Sequence, residues 1–290
     1  MALAILFIPI SDALVKWLGA ELSVGQIAWL RFVLQTLFIA SLVFLQRRLV
    51  GPIRWWHGVL GLELSGAILF LYWGLQYLPL ANNIVIFFAE PLLLLILARL
   101  FLGEQVSWQR WVAVGVGLSG VLIVLRPNWS LYGVMAILPL MAALCYAAFM
   151  ATARAFQRDS AVSPSSLQFW VGVWAILVLG LFLLIGGQQD VALARWSWPE
   201  LHQWGLLIGI GLLAAFSHVL IAMALSLADA SLLAPFQYLE ILGASLLGWW
   251  IFGEFPDQLT LLGGAVIIGS GIWLFLHERQ LARSNLDLVN

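Results

Sequence analysis

Six ionisable side chains stand inside otherwise apolar runs of this 290-residue sequence: Asp12, Lys16, Arg31, Glu63, Glu90 and Glu240. A charge at the centre of a membrane helix costs about 2.5 to 3.5 kcal/mol on insertion scales, so each must meet a partner, water or a solute. Glu90 and Glu240 carry the most specific signal. Each lies fourteen residues before the glutamate of a Gly-Glu pair, Gly103-Glu104 and Gly253-Glu254, and the two sets are offset by 150 residues. Glu90 precedes Pro91, and Pro235 lies just upstream of Glu240. Proline frees backbone carbonyls in a helix, and freed carbonyls beside a carboxylate suit a cation or a bound solute. Desolvation works against a bare carboxylate, which opens proton exchange with a substrate to both glutamates. The alternative is that both pair with Arg31 or Lys16 and only hold the bundle together.

The remaining polar residues fall into small sets. Asp12 and Lys16 are one helical turn apart and can pair with each other, letting the first helix insert. Lys16, the only lysine, could instead meet an anionic group on a solute. Arg31 shares a face with Gln35, about 10 Å below the end of its helix. Its guanidinium suits bidentate binding of carboxylate or phosphate, or an ion pair with an acidic neighbour. Asn83, Phe87 and Glu90 form one stripe, and Gln237 and Glu240 share a face. Each set couples an amide to a carboxylate, a combination that reads a zwitterion or a heterocycle. Tyr72 shares a face with Gln76. His218 could relay protons or stack on a ring, or simply be a hydrogen-bonded packing residue. Tyr238, Trp73, Trp170 and Trp174 could stack an aromatic solute or pack against lipid and core.

The elements that position these residues are membrane helices. The chain is 63% hydrophobic and 9% charged, with mean hydropathy +1.02, whereas a soluble domain carries roughly 25% charged residues. Residues 64–89, 127–153, 160–189, 203–228 and 258–277 contain no Asp, Glu, Lys or Arg. With about 20 apolar residues per crossing, the runs predict ten helices, near 1–18, 24–45, 57–78, 81–102, 108–125, 131–153, 165–186, 203–226, 231–252 and 258–277. The first run lacks a basic leader and contains Asp12 and Lys16, which favours a spanning helix over a cleaved signal. Positive charge then sets orientation: Arg47, Arg48, Arg54, Arg99, Arg110, Arg154, Arg158, Arg279 and Arg283 fall on the side of the N-terminus, Arg126 and Arg195 on the other. Both termini are therefore expected in the cytoplasm. Trp17, Trp55, Trp56, Trp108, Trp129, Trp249 and Trp250 fall at span ends as an aromatic belt, and Trp196, Trp198 and Pro199 suit a headgroup-level segment.

Other classes find little support. Net charge is −1, so no basic face invites nucleic acid, and the single Cys145 cannot form an intrachain disulfide. There is no Cys/His metal spacing, nucleophile elbow or Walker-type loop, so no cofactor is expected. Gly115 to Gly120 spells a dinucleotide fingerprint without a preceding strand and reads as small-residue helix packing. Gly103 and Gly253 are expected to end helices, with Glu104 and Glu254 starting the next ones at their positive dipole ends.

Two halves emerge, residues 1–126 and 127–277, followed by a cytoplasmic tail at 278–290. The segment 99–104 ending Phe-Leu-Gly-Glu, with Leu-Ser-Gly at 118–120, recurs as Trp-Trp-Ile-Phe-Gly-Glu at 249–254 with Gly-Ser-Gly at 269–271. Five crossings per half is an odd number, so the second half enters from the opposite side and the repeat is inverted. Such repeats usually place a substrate site at their interface and permit alternating access, although a duplicated scaffold could equally be structural. The stretches Ser-Asp-Ala-Leu-Val-Lys-Trp-Leu at 11–18, Gly-Glu at 103–104, Ala-Pro-Phe-Gln-Tyr at 234–238 and Phe-Gly-Glu at 252–254 resemble the drug/metabolite transporter superfamily, EamA type, over nearly the whole chain. Few residues precede Asp12 by comparison with the family's usual start. The resemblance implies an all-α membrane protein of ten helices in two five-helix repeats, moving small organic solutes across a bacterial inner membrane. Family substrates include amino acids, nucleosides, vitamins and drugs, and the second-half motif also resembles branches for riboflavin or S-adenosylmethionine. The expectation is thus a secondary transporter for a zwitterionic, amphiphilic or aromatic metabolite, moving it outward, with protons as a candidate coupling ion and the chain acting as a monomer or homodimer. A membrane-embedded enzyme or lipid-handling protein using the intramembrane carboxylates is the competing class.

Overall fold

The computed structural model describes residues 2–45, 51–101, 103, 107–157, 164–227, 237 and 239–287. Helices account for nearly all of them: α1 (Ala2–Leu18), α2 (Val24–Leu45), α3 (Trp56–Leu75), α4 (Leu80–Phe87), α5 (Glu90–Phe101), α6 (Trp108–Tyr132), α7 (Leu138–Gln157), α8 (Pro164–Gln188), α9 (Leu201–Leu227), α10 (Leu239–Phe252) and α11 (Gln258–Asp287). Short 3₁₀ turns at Gly133–Ile137 and Ala192–Ala194 join the series, and no strand occurs among the described residues. Among the described residues, eight stretches are long and apolar enough to cross a bilayer, and Leu239–Phe252 is a shorter apolar helix.

Each expected apolar run has a helix, but several bounds differ. The run over 81–102 is two helices. Pro91 has no N–H to give to the carbonyl of Phe87, so the ladder stops there. The chain tightens instead: Ala89 N–H bonds the Ile86 carbonyl at 3.1 Å, and Leu92 N–H bonds that of Ala89 at 3.1 Å. Glu90 consequently opens α5 rather than sitting mid-helix. Glu240 is also in a first turn, that of α10; Pro235 lies outside the described residues. α6 continues to Tyr132, past the expected end at 125, and the seventh helix begins only at Leu138 after the 3₁₀ turn. The last helix runs to Asp287, so most of the expected tail is helical.

Glu254 does not begin a helix. Gly253 ends α10 in the left-handed region, φ +67°, with its N–H on the carbonyl of Trp249 at 3.0 Å, as an αL cap requires. Glu254 follows in the loop, and α11 is capped by Asp257, whose carboxylate accepts from Thr260 N–H at 2.7 Å. Gly103 repeats the conformation at φ +66°, while Glu104 lies outside the described residues.

The most extensive packing pairs are α1 with α9, α3 with α7, α2 with α9, α3 with α8, α1 with α10, α5 with α7, α4 with α10, α2 with α8 and α6 with α11. Exchanging α1, α2, α3, α4–α5 and α6 for α7, α8, α9, α10 and α11 turns each of these pairs into one of the others or into itself. Small residues make the crossings close, the usual basis of helix association in lipid. On α6, a Cβ added to Gly117 would meet Ser270 Oγ of α11 at 2.9 Å, and one added to Gly120 would meet the carbonyl oxygen of Gly263 at 2.8 Å. The Gly-rich run is therefore a packing face, although Gly115 itself points at open space.

Because the atom in the way at Gly120 is backbone, a side chain there must push α11 aside. Gly120→Val should lower stability by about 1 to 3 kcal/mol, read as a reduced melting temperature of the purified protein in detergent. Gly115→Val, with nothing within 4 Å, should leave it unchanged.

Candidate functional site

A cavity of about 790 Å³ lies between the helices. It is bounded by α1 through Ile8, Ser11 and Asp12, by α2 through Arg31, by α3 from Leu64 to Tyr72, by α5 through Glu90, Pro91 and Leu94, by α7 from Tyr146 to Arg154, by α9 from Ala214 to Ile221, and by Gln237 and Glu240. Leu167 and Gln168 at the start of α8 also line it, and Arg154 and Gln237 are its exposed lining residues, which mark the open mouth. Seven of the ten sequence-selected residues share this space: Asp12, Arg31, Tyr72, Glu90, His218, Gln237 and Glu240. Tyr238 lies outside the described residues.

The charges act on one another across the cavity. Asp12 and Arg31 are electrostatic partners, Arg154 acts on Glu90, and Glu240 feels both Asp12 and Glu90. Three carboxylates thus face two guanidinium groups and a histidine. Arg31 is buried, with its Nε and Nη1 lacking a hydrogen-bond partner among the described residues. Its guanidinium lies 5.0 Å from the Phe32 ring centre and 6.0 Å from that of Tyr72, within cation–π reach. Asp12 Oδ2 is likewise buried and unpartnered among them. Since a carbonyl only accepts, His218 Nδ1–H donates to the carbonyl of Ala214, at 2.7 Å; this leaves Nε2 of the neutral ring as an acceptor.

Glu90 and Glu240 each occupy a first helical turn. The positive end of a helix dipole favours a carboxylate in such a turn, although in α5 the N–H groups of Leu92 and Leu93 are already taken by the carbonyl of Ala89, at 3.1 and 3.0 Å. Broken helices whose ends meet at the centre of a bundle are how membrane transporters build solute sites.

Lys16 and Asn83 do other work. Lys16 does not pair with Asp12; its ammonium reaches Glu254, 238 residues away, at 2.6 Å. Asn83 is fully buried, and its Nδ2 donates to the carbonyl of Leu71 at 3.1 Å, tying α4 to α3. Gln76 sits at the helix end and donates to the carbonyl of Gly19 at 3.1 Å. The aromatic walls come from Tyr72, Phe87, Phe88, Tyr146 and Phe149 rather than the tryptophans. Trp170 Nε1–H donates to the carbonyl of Gly51 at 2.7 Å, and Trp174 fills the space over Gly58 and Gly61. Glu63 accepts from Thr152 Oγ1 at 2.9 Å between α3 and α7.

Outside the spans, Glu21 joins the α1–α2 turn to the start of α9. It accepts from Gln203 Nε2 at 2.7 Å and contacts His202 Nε2 at 3.2 Å. The Gln203 hydrogen bond, then that of His202, holds its carboxyl below the ordinary range. At the same end Gln26 brackets the backbone of Ser197, donating at 2.6 Å and accepting at 3.1 Å.

Sequence reasoning assigned Arg154 to topology alone and overlooked Tyr146, Phe149 and Gln168. A basic residue in the last turn of α7 looks like any positive-inside charge until α5 is packed against that turn.

If Asp12 depends on Arg31, removing the cation alone strands a buried carboxylate. Arg31→Met should cost about 3 to 5 kcal/mol, while Asp12→Asn/Arg31→Met should recover part of it. A double-mutant cycle from melting temperatures near neutral pH checks this, and additivity of the two changes would refute the pairing.

Residues 1–126 and 132–276 match the model of the EamA-like transporter family. The chain is 28% identical over 273 residues to an S-adenosylmethionine uptake transporter of Rickettsia prowazekii, covering 93% of this chain and 89% of that protein. It is 32% identical over 219 residues to a riboflavin transporter of Vibrio cholerae, covering 75% and 70%. It is also 27% identical over 265 residues to the pseudopaline exporter CntI of Pseudomonas aeruginosa, covering 89% and 88%. One crystal structure superposes with TM-score 0.64 at 18% identity, over 96% of this chain and 98% of the other, a likeness of fold.

Proposed function

The chain belongs to the EamA-like transporter family, and from that premise we propose that the cavity is the solute site of an alternating-access carrier for a zwitterionic organic metabolite with a cationic group. Membership makes it a multi-pass membrane transporter of small molecules, and the competing enzyme class falls with it. The observation that carries the finer reading is the convergence of Asp12, Glu90 and Glu240 with Arg31 and Arg154 on one void. Three like charges around a shared space repel one another, and a bound cation or a proton relieves the repulsion. The unpartnered N–H groups of Arg31 offer a seat for a carboxylate. Gln168, Gln237 and the aromatic walls suit a planar heterocycle.

S-Adenosylmethionine, named in a relative, has this make-up: a sulfonium, an amino-acid end and a purine. A flavin is the second reading, favoured by the rings of Phe87, Tyr146 and Phe149, because it would stack there without calling on the carboxylates. The paired halves extend the proposal. The exchange symmetry of the packing supports two inverted five-helix repeats, with the positive-inside bias placing both termini in the cytoplasm of a bacterial inner membrane and the open mouth facing it. The relatives' names run in both directions, uptake and export, so outward movement rests on the expectation alone.

Purified protein in liposomes should take up labelled S-adenosylmethionine. Glu90→Gln and Glu240→Gln should each cut the rate by at least about tenfold, the cost of losing roughly one charge-assisted contact, while melting like the parent. Proton exchange through these groups adds that an imposed pH gradient should change the parent's rate and leave the glutamine variants unmoved. Flux of riboflavin but not S-adenosylmethionine, with both variants active, would favour the second reading and remove the glutamates from the site.

A further inference from the structure

Lys16 stands in the last turn of α1 and Arg154 in the last turn of α7, the helices that open the two halves. Their surroundings differ. The Lys16 ammonium bonds both oxygens of Glu254, at 2.7 and 2.6 Å, and donates to the carbonyl of Leu78 at 2.9 Å. The ring of Phe252 lies 5.2 Å away. Glu254 in turn accepts from the N–H of Leu80, the first residue of α4, at 3.2 Å. One ammonium therefore ties the end of α1 to the α3–α4 turn and the α10–α11 loop. Arg154, by contrast, is exposed at the open mouth and acts on Glu90 across it.

Among the described residues, Lys16–Glu254 is the one pair between a Lys or Arg and a carboxylate that joins the first half to the second. Neither residue lines the cavity, and Lys16 bonds the carbonyl of Leu78, just past Leu71 and Tyr72, the last α3 residues that do. A solute that enters beside Arg154 and leaves at the other end must part the segments that Lys16 holds. With 13% and 29% of the two side chains exposed, water can reach the pair and solvate it once it opens, so the lock can be broken and remade.

We propose that Lys16 and Glu254 form the latch of the closed mouth: the pair seals the far end of the cavity in this state and separates when the site turns to that side. Arg154, its counterpart on α7, marks the mouth that is open here. The inference rests on the carrier reading, and its test separates the two.

Cys145→Ser with Leu71→Cys leaves one thiol at the inner end of the cavity. In liposomes of known orientation, a membrane-impermeant maleimide should label it from the Arg154 side. Lys16→Met and Glu254→Gln should each raise labelling from the far side by about fivefold or more, as a shift of this size in the two-state balance requires. The swap Lys16→Glu/Glu254→Lys should bring it back down, and Arg154→Gln should not raise it. Far-side labelling unchanged in both single variants, or raised equally by Arg154→Gln, would overturn the latch. Variants that fail to fold do not end the matter. In the Cys145→Ser background, Lys16→Cys/Glu254→Cys bridged by a short bis-methanethiosulfonate, which spans the gap left by the two long side chains, should carry no S-adenosylmethionine flux and recover it on reduction. Undiminished flux in the cross-linked protein would refute the proposal. Labelling needs no substrate, so a failed latch leaves transport standing, whereas correct labelling without parental flux counts against the carrier reading instead.

Discussion

A charge inside a bilayer must face a partner, water or a solute, because the hydrocarbon offers nothing else. This protein meets that constraint in two ways, and the division shapes the whole molecule. Lys16 and Glu254 satisfy each other and are additionally bonded to the backbone at Leu78 and Leu80. Asp12, Arg31, Glu90 and Glu240 instead share a cavity, with hydrogen-bonding atoms of Asp12 and Arg31 left without partners among the described residues. Buried polar groups are normally satisfied, so groups left open at the centre of a bundle support the proposed solute site. The two glutamates are further supported by the helix ends on which they sit. Pro91 creates such an end beside Glu90 by removing one backbone donor.

The cavity exists because the helices around it are held elsewhere. Close crossings at Gly120 and Gly263, at Gly211 against Leu34, and at Gly243 against Pro9 bring backbones together outside the void. Each depends on a missing side chain, so neither helix of a pair can slide without a clash. The helices consequently behave as tightly joined couples, while the space between couples is lined by long side chains and charge. Motion that opens one end and closes the other then costs least as a rocking of couples against one another, the rigid-body mode that repeat-built transporters use.

Much of this was legible in the sequence, and the illegible part has a common cause. Hydropathy located the apolar run in which each described helix lies, since lipid imposes one composition on each crossing. The matched spacing of Glu90 and Glu240 drew attention to two residues that the fold brings within electrostatic range of each other. Local rules then misled at Lys16: Asp12 is a turn away and visible as a neighbour, whereas Glu254 becomes one only after α1 and α10 have packed. Arg154 was hidden in the same way behind its value as a topological charge. The break at Glu90 was signalled by Pro91, yet the unbroken apolar run across it read as a single helix, because hydropathy records burial in lipid and not the continuity of a hydrogen-bond ladder.

The most extensive packing pairs survive exchange of α1–α6 for α7–α11, but the polar contacts do not. Lys16 in the last turn of α1 is bound on three sides; Arg154 in the last turn of α7 stands exposed at an open mouth. Had the ion pairs followed the symmetry of the helices, both ends of the cavity would be equally closed or equally open, and the molecule would have a single resting arrangement. On the proposed carrier reading, such a scaffold with an unsymmetric set of polar locks would have a second arrangement of comparable packing, in which the halves trade places. On that reading the two differ chiefly in which lock is made, since the most extensive core pairs are the same before and after the exchange. A few charged contacts can therefore decide the conformation of a chain whose mass is almost wholly hydrocarbon. Because those contacts border the cavity, any solute that changes the charge balance within it acts directly on that decision.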